Sequence, residues 1–324
     1  MSNDTIYLRG GAEGACTPER VRELLDSGEF FWLSLDGVDD AGLLLDTFGF
    51  HPLAVEDAVR FRQRPKVEEY DGFTYWVAHG LLESGAITEV HVFFTPSYLV
   101  TVTEDSEQLF AEVHQRLETH PPKAVSPPSI TALYLILDSL IDSFFPRLAD
   151  LDDRIDELED AILSKPTEAQ LGELFAMKRT LVGYRKTVSP QRDVMAKVAS
   201  GVDQIVGMTD EDLRYFRDLY DHLIRISDMV DSYRDLVSGA VDTHISMVSN
   251  RMNVIMKQLT IIATVFLPLS YLTGFFGQNF AFMVNGPQSH AWGFWGFGVG
   301  TEVIALVVLL VYGRRSGWFG GPSA

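Results

Sequence analysis

The sequence predicts an α/β domain that continues into a long α-helical stalk and ends in two membrane-spanning helices. Three observations carry that prediction. Up to about Thr119, short aromatic and β-branched runs alternate with helix-spaced segments. From Ile130 onward the pattern is helical with no strand signal between. Near the end come two apolar runs: Leu259 to Phe276, without a charged side chain, and Trp292 to Tyr312, interrupted only by Glu302. At about 1.5 Å per residue, the first is just long enough to cross a hydrocarbon core of roughly 30 Å.

Phe30–Leu35, Phe73–Ala78, Val90–Thr95 and Tyr98–Val102 read as strands, and Pro18–Ser27 and Ser106–Glu118 have helical spacing. Pro121, Pro122, Pro127 and Pro128 disfavour a continuing helix and set the domain boundary there. Ile130 to Leu163 is predicted as one helix bent near Pro146. Thr167 and Gln170, after Pro166, form a capping-box start for the next, in which Pro190 is a candidate kink. A third helix starts near Thr209, with Asp210 to Asp212 in its first turn where the macrodipole favours acids. No proline follows until Pro268, so this helix runs into the membrane for roughly 100 Å. A rod of that length needs partners, either the preceding helical hairpin or further copies of the chain.

Arg251 and Lys257 precede the first span, Arg314 and Arg315 follow the second, and the loop between them carries no Lys or Arg. The positive-inside rule places both termini in the cytoplasm. The expected segments are a cytoplasmic α/β domain over 1–125, a cytoplasmic stalk over 126–258, spans over 259–277 and 292–312, an outer loop over 278–291 and a tail over 313–324. The first thirty residues contain acids and no long apolar core, so no cleavable signal is expected and the first span serves for insertion.

The net charge of −19 argues against nucleic acid and anionic membrane surfaces as partners, and towards cations or basic proteins. The lone Cys16 cannot close an intrachain disulfide. No metalloprotease helix motif, Walker loop, dinucleotide fingerprint or paired-cysteine zinc site occurs, and catalysis has no visible seat. The histidines are scattered and read as surface or core residues. The run Asp150–Asp160 reads as a solvated helix face before it reads as an ion site.

Two stripes on the third helix bear on ions. Asp221, Asp228, Asp235 and Asp242 share a heptad position, which is one line only if the helices supercoil, and the alternative is a plain solvated face. Asn253, Met256, Leu259 or Thr260, Ala263, Leu267, Ser270, Gly274 and finally Asn279 recur at threes and fours without a carboxylate. A divalent cation passing along them would keep most of its water, which suits Mg2+. The rival reading is helix packing, with Gly274 and Gly277 allowing close approach.

The run PLSYLTGFFGQNF, followed by a short loop and a second span, resembles the CorA family of pentameric magnesium channels, whose signature there is Gly-Met-Asn. HPLAVEDAV, QRPKVEEYDGF and DLVSGAVDTHISMVSNRMNVIMKQLTIIATVFLPLSYLTG resemble the same family. The resemblance implies a funnel-shaped homopentamer whose first spans line one pore. It makes Gly277 and Asn279, with Gln278 between them, the selectivity mouth, and Asn253, Met256, Leu259, Leu267 and Ser270 the lining, with Met256 and Leu259 as a hydrophobic constriction; Ala263 and Gly274 join the lining by their spacing. It makes Asp242 the acidic ring at the cytoplasmic entrance, and Asp57 with Asp218 of a neighbouring subunit a regulatory Mg2+ site. On residues alone, Asp57 equally reads as a helix-face acid paired with Arg60.

Three features depart from the family pattern. Gln278 replaces the signature Met, the outer loop has no Asp or Glu, and Glu302 lies inside the second span. An intramembrane acid is a functional candidate, here a proton-linked group, or else a protonated carboxyl bonded to a neighbouring helix. The leading expectation is Mg2+ transport, with Co2+ or Ni2+ as further cargo, gated by intracellular Mg2+. FLPLSYLTGFFG and the segment Pro190–Val194 also resemble the ZntB-like branch, which implies proton-coupled Zn2+ transport as the alternative. A membrane-anchored metal sensor that conducts nothing is the third.

Overall fold

The computed structural model describes residues 4–8, 11–14, 17–37, 41–104, 107–119, 127–278, 281–286, 290–316 and 318. Two compact units divide between Thr243 and His244. In the first, strands β1 (Thr5–Leu8), β2 (Gly11–Gly14), β3 (Phe31–Asp36), β4 (Lys66–Tyr70), β5 (Phe73–Leu81), β6 (Ile87–Phe94) and β7 (Tyr98–Thr103) form a sheet of order β2-β1-β3-β7-β6-β5-β4. Among the described strands, only β3 and β7 pair in parallel; the other neighbours are antiparallel.

The two-residue period of each strand builds two cores. On β3, Phe31, Leu33 and Leu35 face one side and Trp32 the other; on β5, Phe73, Tyr75 and Val77 oppose Trp76 and Ala78. Helices α1 (Pro18–Ser27) and α2 (Pro52–Val59) cover the first face. The second is covered by α3 (Glu107–Thr119), α4 (Pro128–Asp142), α5 (Phe144–Ser164), α6 (Glu168–Ala199) and the start of α7 (Asp212–Phe276). A sheet buried on both faces explains the near-continuous apolar run of β5. Helix α4 crosses β5 so closely that a Cβ at Gly80 would lie 2.8–3.0 Å from Leu140.

The expected helix from Ile130 to Leu163 is broken at Ser143, a turn earlier than Pro146. Proline removes the N–H that would reach the carbonyl four residues back, at Asp142, and its ring crowds that carbonyl. The Ser143 hydroxyl donates to Leu140 O (2.6 Å) and accepts the Leu81 N–H of β5 (2.7 Å), which pins the break to the sheet. Apolar enough to span a bilayer, this segment instead has most of its surface buried against the sheet. The capping box at Thr167 and Gln170 forms as expected, and α6 runs through Pro190. Thr209 and Asp212 make the equivalent reciprocal pair at the start of α7.

On α7, Phe216, Leu219, Leu223, Ile226, Val230, Val237 and Ala240 are buried. Asp221, Asp228, Asp235 and Asp242 are exposed. Exposed, too, is most of Asp150–Asp160, whose Arg154 pairs with Glu157 and Glu173.

A buried carboxylate fixes the loop between α2 and β4. Glu89 accepts the N–H groups of Arg62 (2.7 Å) and Gln63 (2.9 Å) and lies 3.0 Å from His91 Nε2 and 3.6 Å from His79 Nε2. Arg62 takes the left-handed φ of 86° to present its N–H. Burial pushes the Glu89 carboxyl up, but the hydrogen bonds from His79, His91 and the Gln63 N–H outweigh it and hold it well below the usual carboxylate range. With its folded-state pKa depressed, this group contributes stability above its unfolded value near 4.5 and loses it as pH falls towards the folded value. Glu89→Ala is expected to cost about 2 kcal/mol at neutral pH, because the half-buried Gln63 N–H and the exposed Arg62 N–H lose the carboxylate that holds the loop. Denaturant titration of wild type and variant at neutral and strongly acidic pH checks this: the gap closes with acidification.

In the second unit, α7 continues to Phe276, followed by α8 (Ala281–Asn285), α9 (Ala291–Gly293), a π-helical stretch at Phe294–Val299 and α10 (Gly300–Arg315). The α7 helix and the 25-residue segment Ala291–Arg315 are both long and apolar enough to cross a membrane. The hydroxyls of Thr260, Thr264 and Thr273 bond to carbonyls four residues back, as polar groups in lipid must.

Candidate functional site

Along the apolar part of α7, the positions less open than the rest are Ile261, Thr264, Val265, Pro268, Leu269, Leu272 and Phe276. At 100° per residue these fall on one face. Asn253, Met256, Leu259, Ala263, Leu267, Ser270 and Gly274 are all exposed and centre on the opposite face. On α10 the half-buried residues Thr301, Glu302, Ala305, Leu306 and Leu309 also recur at threes and fours. Each span thus turns one stripe inward and leaves the other open, and the candidate ion stripe belongs to the open side. It is not the packing surface between the two spans of one chain.

Glu302 sits on the inward stripe of α10, where its Oε1 lies 2.7 Å from the Thr273 hydroxyl. Thr273 occupies the flank of α7 between the two faces. Its carbonyl accepts the N–H of Gly277 (2.9 Å), and the Gln278 N–H reaches Phe275 O (3.3 Å). Gly277 and Gln278 are exposed beyond the helix end; Asn279 lies outside the described residues, as does Cys16. Asp242 is exposed on α7.

The regulatory candidates have partners that sequence reasoning did not foresee. Asp57, on α2, meets Lys66 Nζ at 2.6 Å, while Arg60 pairs with Glu56 at 2.7 Å. The pairing of Asp57 with Arg60 is thereby corrected: β4 brings Lys66 over Asp57, and Arg60 is one helical turn from Glu56. Lys66 also meets Glu68 at 2.9 Å. Burial works against its charge, but the hydrogen bonds to Asp57 and Glu68 prevail and raise the ammonium above its ordinary range.

Asp218, on α7, lies 3.9 Å from His222 Nε2, and the other ring nitrogen, Nδ1, is 3.0 Å from Asp142 Oδ1 on α4. Asp138, Asp142 and His222 each bring one ligand atom to within 4.8 Å of the others. Asp138 is buried and held by Arg116 at 2.8 Å. Burial, then the Asp138 charge, raise the Asp142 carboxyl above its ordinary value despite His222. Two carboxylates crowded around an imidazole at the cost of a raised pKa are a donor set that a divalent cation would relieve. His222 is half-buried and pairs with Asp142 through one ring nitrogen and with Asp218 through the other.

An α/β layer, one helix continuing from it into an apolar segment and a second apolar helix define a protein of the two-span membrane class. The family description "CorA-like Mg2+ transporter protein" matches residues 27–315. The protein YfjQ of Bacillus subtilis (strain 168) is 36% identical over 294 residues, covering 90% of this chain and 90% of that protein. The cobalt/magnesium transport protein CorA of Thermotoga maritima is 33% identical over 310 residues, covering 93% and 86%. The complete structure of the CorA magnesium transporter from Methanocaldococcus jannaschii matches with a TM-score of 0.80 at 24% identity, over 97% of this chain and 98% of that one. The chain belongs to the CorA family, a family of divalent-metal transporters and not of enzymes.

Proposed function

We propose that the chain carries Mg2+ passively across the cytoplasmic membrane, with Co2+ or Ni2+ as further cargo, through the axis of a homopentamer with both termini inside. The observation that carries this reading is the open, uncharged stripe of α7 opposite the face turned towards the second span. Five such stripes around one axis make a path that grips no ion by charge, and Mg2+, which dehydrates reluctantly, would pass with water around it. Asn253, Met256, Leu259, Ala263, Leu267, Ser270 and Gly274 would line it, with Met256 and Leu259 as the constriction. Asp242 would collect cations at the inner end, and Gly277, Gln278 and Asn279 would form the mouth. The segments follow: α/β domain 1–125, stalk 126–258, pore span 259–277, outer loop 278–291, outer span 292–312 and tail 313–324.

Gating by intracellular Mg2+ would act through carboxylates that tie subunits or helices together in the closed state. Asp218 lies 3.9 Å from His222, which with Asp138 and Asp142 makes a donor set that would hold an ion. Asp57 would join a site between subunits by exchanging the Lys66 ammonium for the metal. An ion that binds the closed state better than the open one supplies the coupling.

Proton-coupled Zn2+ transport is the second reading, favoured by one contact, that of Glu302 with the first span. Flux of Mg2+, Co2+, Ni2+ and Zn2+ into proteoliposomes, with and without a pH gradient, separates the two. Mg2+ uptake indifferent to the gradient is expected. Zn2+ uptake driven by it would replace the reading, and no flux of any cation would leave a membrane-anchored sensor.

A further inference from the structure

We propose that Glu302 is a positioning residue for the mouth that braces the last turn of the first span through Thr273; this rests on the transport reading above. The Thr273 hydroxyl lies 2.7 Å from Glu302 Oε1 and 2.9 Å from Leu269 O. Leu269 O already takes the backbone N–H of Thr273 in the α7 ladder, so the hydroxyl is free to donate across to Glu302 and tie the two spans together.

The contact is placed to matter. Thr273 is one turn, about 6 Å, before Gly277, so Glu302 acts near the outer end of the first span and not at mid-depth. The same residue receives the Gly277 N–H, so its backbone starts the turn that presents Gly277 and Gln278. A Cβ at Gly277 would lie 3.2 Å from Thr273 O, which leaves this turn little slack. One residue thus ties the second span to the mouth by its side chain and closes the helix end by its carbonyl.

The test uses full-length protein in proteoliposomes. Thr273→Val and Glu302→Leu are expected to lower Mg2+ flux about tenfold, the scale of one lost hydrogen bond. Thr273→Ser and Glu302→Gln are expected to keep it, since each retains a donor or acceptor at the same place. A second readout is independent of transport: Gln278→Cys in a Cys16→Ser background, labelled by a water-soluble thiol reagent. Its rate should rise several-fold with Thr273→Val and stay put with Thr273→Ser. Wild-type labelling rates in Thr273→Val and Glu302→Leu would overturn the brace, whether or not the protein conducts. Glu302→Gln behaving as Glu302→Leu in both readouts would overturn the hydrogen bond to Thr273 as the brace. Absent flux with altered labelling would instead reject the transport reading and leave the brace standing.

Discussion

Lysine at Ser270 is expected to abolish divalent-metal flux, whereas alanine at the same position leaves it near wild type. Ser270 is exposed on the open stripe of α7, in a span without a charged side chain. An ammonium about 5 Å from a doubly charged ion, at an effective dielectric of about 20, repels it by about 7 kcal/mol, roughly five powers of ten in occupancy. Screening and side-chain retreat reduce this, yet a loss beyond roughly a hundredfold remains, and a homo-oligomer repeats the charge in every subunit. Flux into proteoliposomes measures it, with size-exclusion profiles confirming assembly. A Ser270→Lys protein that conducts like Ser270→Ala would remove α7 as the wall of the path. Accessibility offers an independent check. In a Cys16→Ser background, Ser270→Cys should react with a cationic thiol reagent and lose flux, and Leu272→Cys, on the half-buried face, should not.

The strands that sequence reading found, such as Phe73–Ala78, are the ones buried on both faces, where the apolar signal is strongest. Those it missed lie towards the sheet edges. β2 has the sequence GAEG and little strand propensity, and β4, KVEEY, reads as a charged loop until β5 supplies its partner. Missing β4 also hid the true partner of Asp57, because Lys66 is brought to α2 only by that strand. Local rules succeeded where the physics is local, as in the capping box at Thr167. Pro146 was seen, but its effect falls on the carbonyl one turn earlier, so the break appears at Ser143.

The candidate ion stripe was legible from spacing, but which side of the helix stays open was not, because that depends on where the second span lies. The acidic cluster was half legible. Asp138 and Asp142 are four apart in the apolar run ILDSLID, a pair of acids that a core helix has no reason to carry. Their third member, His222, comes from a helix 80 residues further on, and only the packing of α7 against α4 joins them. Glu302 could be flagged as an acid in a span, but its partner Thr273 could not be chosen among the threonines of that helix.

Asp142→Asn is expected to stabilise the metal-free protein and to remove most of its stabilisation by divalent cations. The first effect follows from the raised Asp142 carboxyl, whose causes are burial and then the Asp138 charge. A carboxyl with a raised folded-state pKa binds protons better folded than unfolded, so without metal its contribution improves as pH falls through that pKa, the opposite of Glu89. Asparagine supplies the same relief at neutral pH. The second effect follows because a cation stabilises by the logarithm of its saturation, about 2.7 kcal/mol at a hundred times the dissociation constant. For a folded region of this size that is roughly 8 °C in unfolding temperature. The Mg2+-induced rise should shrink in wild type on acidification, as protons compete for Asp142, and be small at every pH in the variant. His222→Ala separates the cations: imidazole suits Zn2+, Co2+ and Ni2+ while Mg2+ prefers carboxylate and water, so this change should cut the Co2+ response more than the Mg2+ response. Thermal scans of the full-length protein in detergent across a metal series measure all three. If Asp142→Asn keeps the full Mg2+ response, the cluster of α4 and α7 is not where the cation that stabilises the protein binds.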